Sequence, residues 1–151
     1  MEDLEYAGFW IRVGASLVDT LLVLLIIGPL LTLIYGQEYW QGEAFIYGFW
    51  DFLFNYILPA IVIIVFWLYK SATPGKMVFK LTIVDAKTGG KPSNSQLVGR
   101  YLAYYISAIP LLLGLIWVGI DQKKQGWHDK LAGTVVIRNT VAQPVQFETQ
   151  V

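Results

Sequence analysis

Three long apolar runs divide the chain, and a single charged residue falls within them. Val13 to Ile34 is 22 residues long, with Asp19 as its only charge. A helix of about 20 apolar residues crosses roughly 30 Å of hydrocarbon, so this run predicts a transmembrane helix. Phe9 and Trp10 stand before it as interfacial anchors, and Gly28-Pro29 predicts a kink toward its far end. Phe52 to Tyr69 is a second run of 18 residues, with Asn55 as its one strongly polar side chain and Pro59 as a predicted kink. Tyr101 to Ile120 is a third, of 20 residues, interrupted by Pro110 and Gly114.

The polar connections carry shorter elements. MVFKLTIVD (77–85) is rich in Val, Ile, Thr and Phe and predicts a strand, and TGG (88–90) is a turn signal after it. TVVIR (134–138) predicts a second strand, which could pair with the first. SNSQ (93–96) offers helix N-caps before the third run. The fold class expected is an all-α integral membrane bundle: two full transmembrane helices plus a third span or re-entrant helical hairpin, with a small cytoplasmic β-element. One membrane domain covers residues 6–138, and residues 139–151 are read as a loose tail.

Charge decides the orientation expected. The connection Gly36 to Asp51 holds Glu38, Glu43 and Asp51 and no basic residue, alongside a belt of aromatic residues. The connection Lys70 to Arg100 holds six basic residues against Asp85 alone. Basic connections stay inside, so the N-terminus and the 70–100 loop are expected to be cytoplasmic, and the 36–51 loop outside, in the cell (inner) membrane. The tail after Asp121 is also basic, with Lys123, Lys124, Lys130 and Arg138. Both ends of the third run therefore look cytoplasmic. A re-entrant hairpin broken near Pro110 resolves this, each half of about 10 residues reaching about 15 Å into the bilayer. The alternative is one ordinary crossing with a basic tail on the far side.

Composition agrees with a membrane chain. Apolar residues make up 56% and charged residues 15%, against about 25% charged in soluble domains. Lys+Arg and Asp+Glu balance at 11 each, so net charge names no partner. The absence of cysteine excludes disulfides, thiol chemistry and cysteine-based metal sites. The acidic lead has neither a basic n-region nor a small-residue cleavage motif, so no cleaved signal peptide is expected. Topology accounts for the basic loop without a nucleic-acid partner.

Arg12 and Asp19 are the first candidates for chemistry. Seven residues apart, they share one helix face about 10.5 Å apart along the axis. Arg12 can snorkel to the interface, whereas Asp19 lies within the span. An intramembrane carboxylate normally faces the protein interior and has a partner. Two turns is too far for direct contact, so each is expected to pair elsewhere, with Arg100, Asn55 or Ser107, or with the other through water. The functional reading is a cation or proton site, and the structural reading is a polar clasp that fixes helix assembly. Gly8, Gly14, Ala15 and Ser16 are read as close helix packing. Thr73-Pro74-Gly75-Lys76 lacks the glycine spacing of a Walker A loop and is read as a turn with Lys76 near headgroups. His128, the only histidine, has no metal-ligand or triad spacing around it.

Four blocks, AGFWIRVGASLVD (7–19), SATPGKMVFKLTIVDAKTGGKPS (71–93), GRYLAYYISAIP (99–110) and QGWHDKLAGTVVI (125–137), together resemble the RDD family of small membrane proteins. That family is named for one arginine and two aspartates. The resemblance implies that Arg12 is the family arginine and Asp19 its first aspartate. Asp85 and Asp129 both match positions for the second, and Arg100 matches the basic residue opening the third segment. It also implies transport of undefined ligands, with cation or proton exchange as the concrete version.

The leading functional expectation is a small transporter or ion-exchange component with Asp19 as the intramembrane carboxylate. Arg12 would set its charge balance, and Asp85 or Asp129 would organise the entry. Three segments are too few to enclose a pathway, so the lipid-embedded chain would act as a homo-oligomer or with a membrane partner protein. The rival is a non-transporting scaffold or assembly factor whose Arg and Asp residues form a clasp. No cofactor is implied, and no constellation supports an enzyme.

Overall fold

The computed structural model describes residues 4–139; of the tail expected over 139–151, all but Asn139 lies outside the described residues. The elements are β1 (Leu4–Tyr6), α1 (Phe9–Tyr35), a 3₁₀ turn (Gln37–Gln41), α2 (Phe49–Lys70), α3 (Pro74–Val78), β2 (Leu81–Asp85), α4 (Asn94–Ala108), α5 (Leu113–Gly119), α6 (Trp127–Ala132) and β3 (Thr134–Asn139). Helices α1 and α2, of 27 and 22 residues, are each long and apolar enough to cross a membrane. Their outward faces carry bare aliphatic side chains, such as Leu25 at 72% and Leu33 at 83% exposure. Such faces suit lipid rather than water.

Helix α1 runs through Pro29 without breaking. In α2 the response to proline is local. Pro59 has no N–H for the carbonyl four residues earlier, and the turn just before it, Leu53–Ile57, widens into a π-helix.

The third apolar run is a bent pair. Helices α4 and α5 meet at 113° across residues 109–112. Leu111 and Leu112 both take left-handed backbone, with φ of 53° and 62°, an arrangement that costs roughly 1 kcal/mol or more per residue. Ser93 caps α4 with a full capping box, its side chain accepting from Gln96 N while the Gln96 side chain accepts from Ser93 N. Gly114 lets the two arms touch: a Cβ there would lie 2.6 Å from Ser107 Cα and 2.9 Å from Trp127. Both ends of the pair return to the sheet. Gln96 donates to Asp85 and to the Gly133 carbonyl, and Gln125 donates to the Thr134 carbonyl.

The sheet has three antiparallel strands in the order β1-β3-β2, with Tyr6 opposite Ile137 and Ile83 opposite Val136. Strand β1 was not foreseen, because three residues carry no periodicity to read. The predicted strand over 77–85 is corrected at its start. Thr73 accepts from Lys76 N and Pro74 occupies the first turn, so Pro74–Val78 forms a helix. Lys80 then takes a left-handed φ of 57°, and the strand begins only at Leu81. The core where sheet meets helices is built from Ala15, Trp67, Leu81, Ile83, Leu97 and Val136.

Candidate functional site

Helix α6 is short, but its first turn is placed firmly. Asp129, three residues past Gly126, reaches back to accept from Gly126 N at 3.0 Å. Its carboxylate then lies between two arginines. Arg12 from α1 donates to Asp129 Oδ2 at 2.6 Å, and Arg100 from α4 pairs with Asp129 Oδ1. Arg12 also donates to the Ala7 carbonyl at 2.9 Å and to the Lys124 carbonyl at 2.5 Å. Arg100 donates to Thr134 Oγ1 at 2.6 Å and lies over the Trp67 and Tyr104 rings at 5.4 and 5.8 Å. Asp129 and Arg100 are both fully buried. One carboxylate therefore ties α1, α4 and α6 together beside the sheet. Burial opposes its charge, but Arg100 and Arg12 hold the Asp129 carboxyl well below the usual carboxylate range.

His128 lines the same cluster. Its ring stacks on Tyr104 with centroids 3.9 Å apart and lies 3.4 Å from Ser107 Oγ. Burial pushes the imidazole down to about 3. The unfolded chain binds a proton here below about pH 6.5, whereas the folded chain resists it until about pH 3. Stability is therefore full above pH 6.5 and falls as pH drops through this window, by up to ~1.4 kcal/mol per pH unit. Melting in a maltoside detergent is expected to shift downward from pH 7.5 to 5.0, and His128→Phe is expected to flatten that slope. An equal slope in the variant would contradict this assignment.

Asp19 sits apart from the cluster, at the junction of α1 with α3. Its Oδ2 accepts from Thr73 Oγ1 at 2.5 Å and its Oδ1 from Gly75 N at 2.7 Å. Gly75 is required there because a Cβ would meet the Ala15 carbonyl oxygen at 2.0 Å. Among the described residues, Asp19 has no ion-pair partner within 4.0 Å. It borders two cavities of about 320 Å³ each. One is an apolar crevice between α1 and α2. The other also holds Ser16, Thr20, Thr73, Lys76 and three tyrosines. Lys76 is buried, 5.9 Å from the Trp67 ring centre, and not among headgroups as the turn reading predicted.

Asp85 belongs to neither place. It closes the turn after β2, accepting from Lys87 N, Thr88 N and Gln96. The Gln96 bond, with the two backbone bonds, outweighs burial and holds its carboxyl below the usual range.

Arg12, Arg100 and Asp129 thus come together, while Asp19 and Asp85 stand alone. None of the partners weighed for Asp19 contacts it: Arg100 is held by Asp129, Asn55 binds Asp51, and Ser107 faces His128. Thr73, Gly75 and Lys76 read in the sequence as a turn. A Thr-Pro pair opening a helix was the signal in the sequence for them.

The model of the RDD family matches residues 6–133, taking in both the clasp and Asp19. The chain belongs to the RDD family. Its RDD relatives include an uncharacterized protein of Rickettsia prowazekii (strain Madrid E), 34% identical over 113 residues, covering 70% of this chain and 63% of the relative. The chain therefore spans under two thirds of that protein's length. The uncharacterized membrane protein YteJ of Bacillus subtilis (strain 168) is 32% identical over 141 residues, covering 87% of this chain and 80% of YteJ. The uncharacterized protein YxaI of the same organism is 30% identical over 150 residues, covering 87% of this chain and 96% of YxaI. No solved structure matches this RDD chain.

Proposed function

We propose that this RDD membrane protein is a small ion-exchange component in which Asp19 holds a monovalent cation or a proton. The observation that carries the reading is the isolation of Asp19: an intramembrane carboxylate without an ion pair among the described residues, open to two cavities. Intramembrane ionisable groups are costly and lean toward ion pathways. Ser16, Thr20 and Thr73 supply hydroxyl oxygens around it, the hard donors that suit alkali cations. Lys76 in the same cavity is a built-in cation that limits how long a bound ion stays.

The sheet end, with its basic connections, is cytoplasmic and the acidic 36–51 connection is outside, in a cell membrane. The bent pair α4–α5 is re-entrant, since both of its ends return to the sheet. So few helices cannot enclose a path, so copies of the chain or a partner complete it. The chain acts as a carrier and not as an enzyme.

A second reading has its own observation. Asp129 and Arg100 of the clasp are fully buried and Arg12 is partly buried, which favours a scaffold whose charges hold helices together. Radiolabelled sodium binding to the purified protein in nanodiscs separates the two. Saturable binding that is lost in a folded Asp19→Asn variant is the expected result. No binding to folded wild type, or equal binding in Asp19→Asn, favours the scaffold.

A further inference from the structure

The other end of α1 and α2 carries a second buried carboxylate. Asp51 is 2% exposed. Its Oδ1 accepts from the Tyr39 hydroxyl at 2.6 Å and from Asn55 Nδ2 at 2.5 Å, and its Oδ2 accepts from Tyr47 N at 2.8 Å. The Tyr39 phenol, pushed up to about 12 by burial and by Asp51, stays a donor. Three donors satisfy the carboxylate, yet among the described residues no cationic side chain pairs with it. The sequence has no lysine or arginine between Arg12 and Lys70, and Lys70 lies at the far end of α2. Glu38 and Glu43 add negative charge to the same connection.

Beside Asp51 opens a cavity of about 470 Å³ walled by Tyr39, Trp40, Phe45, Tyr47 and Tyr56. The rings brace one another: Tyr39 and Tyr47 centroids lie 5.0 Å apart, and Phe45 and Tyr56 6.2 Å. Trp40 is fixed by its indole N–H, which donates to Thr32 at 2.9 Å. Gly42 permits the closure, since a Cβ there would fall 1.3 Å from the Tyr47 hydroxyl.

From this geometry we propose that the basket of Tyr39, Trp40, Phe45, Tyr47 and Tyr56 over Asp51 is a binding site for an alkylated ammonium group. Aromatic faces attract a diffuse organic cation, and an unbalanced buried carboxylate adds the charge. An inner-sphere metal ion is disfavoured, because both Asp51 oxygens already accept hydrogen bonds and the walls are rings. Sodium therefore binds here weakly, which separates this site from Asp19. The ammonium group comes either from a free solute or from a phospholipid headgroup.

The test is calorimetric titration of choline into the full chain in a maltoside detergent, beside its neutral isostere 3,3-dimethylbutanol. Choline is expected to bind saturably and at least about tenfold more tightly than the isostere. Asp51→Asn is expected to weaken choline by about tenfold or more. Trp40→Leu and Phe45→Leu alter exposed side chains, keep the fold, and are expected to weaken it several-fold. They carry the test if Asp51→Asn does not fold. Asp19→Asn is expected to leave choline binding unchanged, so failure at Asp19 and failure here are told apart. Displacement of choline by added phosphatidylcholine assigns the headgroup as the source, and its persistence assigns the free solute. Equal affinity for the isostere, competition by equimolar sodium, or no choline binding to folded protein overturns the proposal.

Discussion

Asp129→Asn is expected to lower the stability of the folded protein by about 3–5 kcal/mol, the usual loss when one partner of a buried ion pair is removed. Asparagine keeps the shape and can still accept from Gly126 N, but two guanidinium groups then face a neutral amide. Arg100 is fully buried and cannot turn to water, and Arg12 is already committed to the Ala7 and Lys124 carbonyls. Melting in detergent is expected to fall by roughly 10 °C or more. Arg100→Leu combined with Asp129→Asn is expected to cost less than the sum of the two, by about 1–3 kcal/mol, because the second change removes a charge the first has stranded. A small, additive loss would mean that the clasp does not hold the helices together. Asp19→Asn is expected to be mild by comparison, about 1 kcal/mol, because an amide oxygen can still accept one of its two hydrogen bonds.

Gly75→Ala is the second large effect. The added Cβ would fall 2.0 Å from the Ala15 carbonyl oxygen and 2.9 Å from Asp19 Cγ, and backbone cannot give way as a side-chain tip can. Helix α3 must move off α1, taking Thr73 and Gly75 N away from Asp19. Overpacking of this kind costs about 3 kcal/mol. Gly99→Ala is the matched control. It lies within α4 with nothing within 4 Å of its Cβ, so it is expected to stabilise by about 0.5–1 kcal/mol. Melting curves of both variants check the pair, and similar curves for the two would contradict the close approach at Gly75.

The membrane character was legible in the three apolar runs, because a span has to be long and continuous to cover hydrocarbon. The break in the third run was legible for another reason: Pro110 stands at the bend between α4 and α5. The partners of the charges were not legible. Arg12 and Asp129 lie 117 positions apart, and no local pattern links them. Arg12 and Asp19 share a helix face, yet one meets α6 and the other α3, because the elements after α2 fold back beneath α1. The start of the strand over 77–85 was misread since Val78 and Phe79 are β-prone by type, while the Thr-Pro cap upstream commits Met77 and Val78 to a helix. Asp51 was read as one more acid in the outer loop. Its role emerges only when the tyrosines of that loop close over it.

Ion flux into proteoliposomes of the purified protein, under imposed sodium and pH gradients, tests the exchange role of Asp19 most directly. Gradient-driven movement in wild type that disappears in Asp19→Asn, with melting of the variant nearly unchanged, is the result expected. No movement in well-folded wild type, or movement that survives Asp19→Asn, would contradict it and leave the clasp of Arg12, Arg100 and Asp129 as the centre of a scaffold.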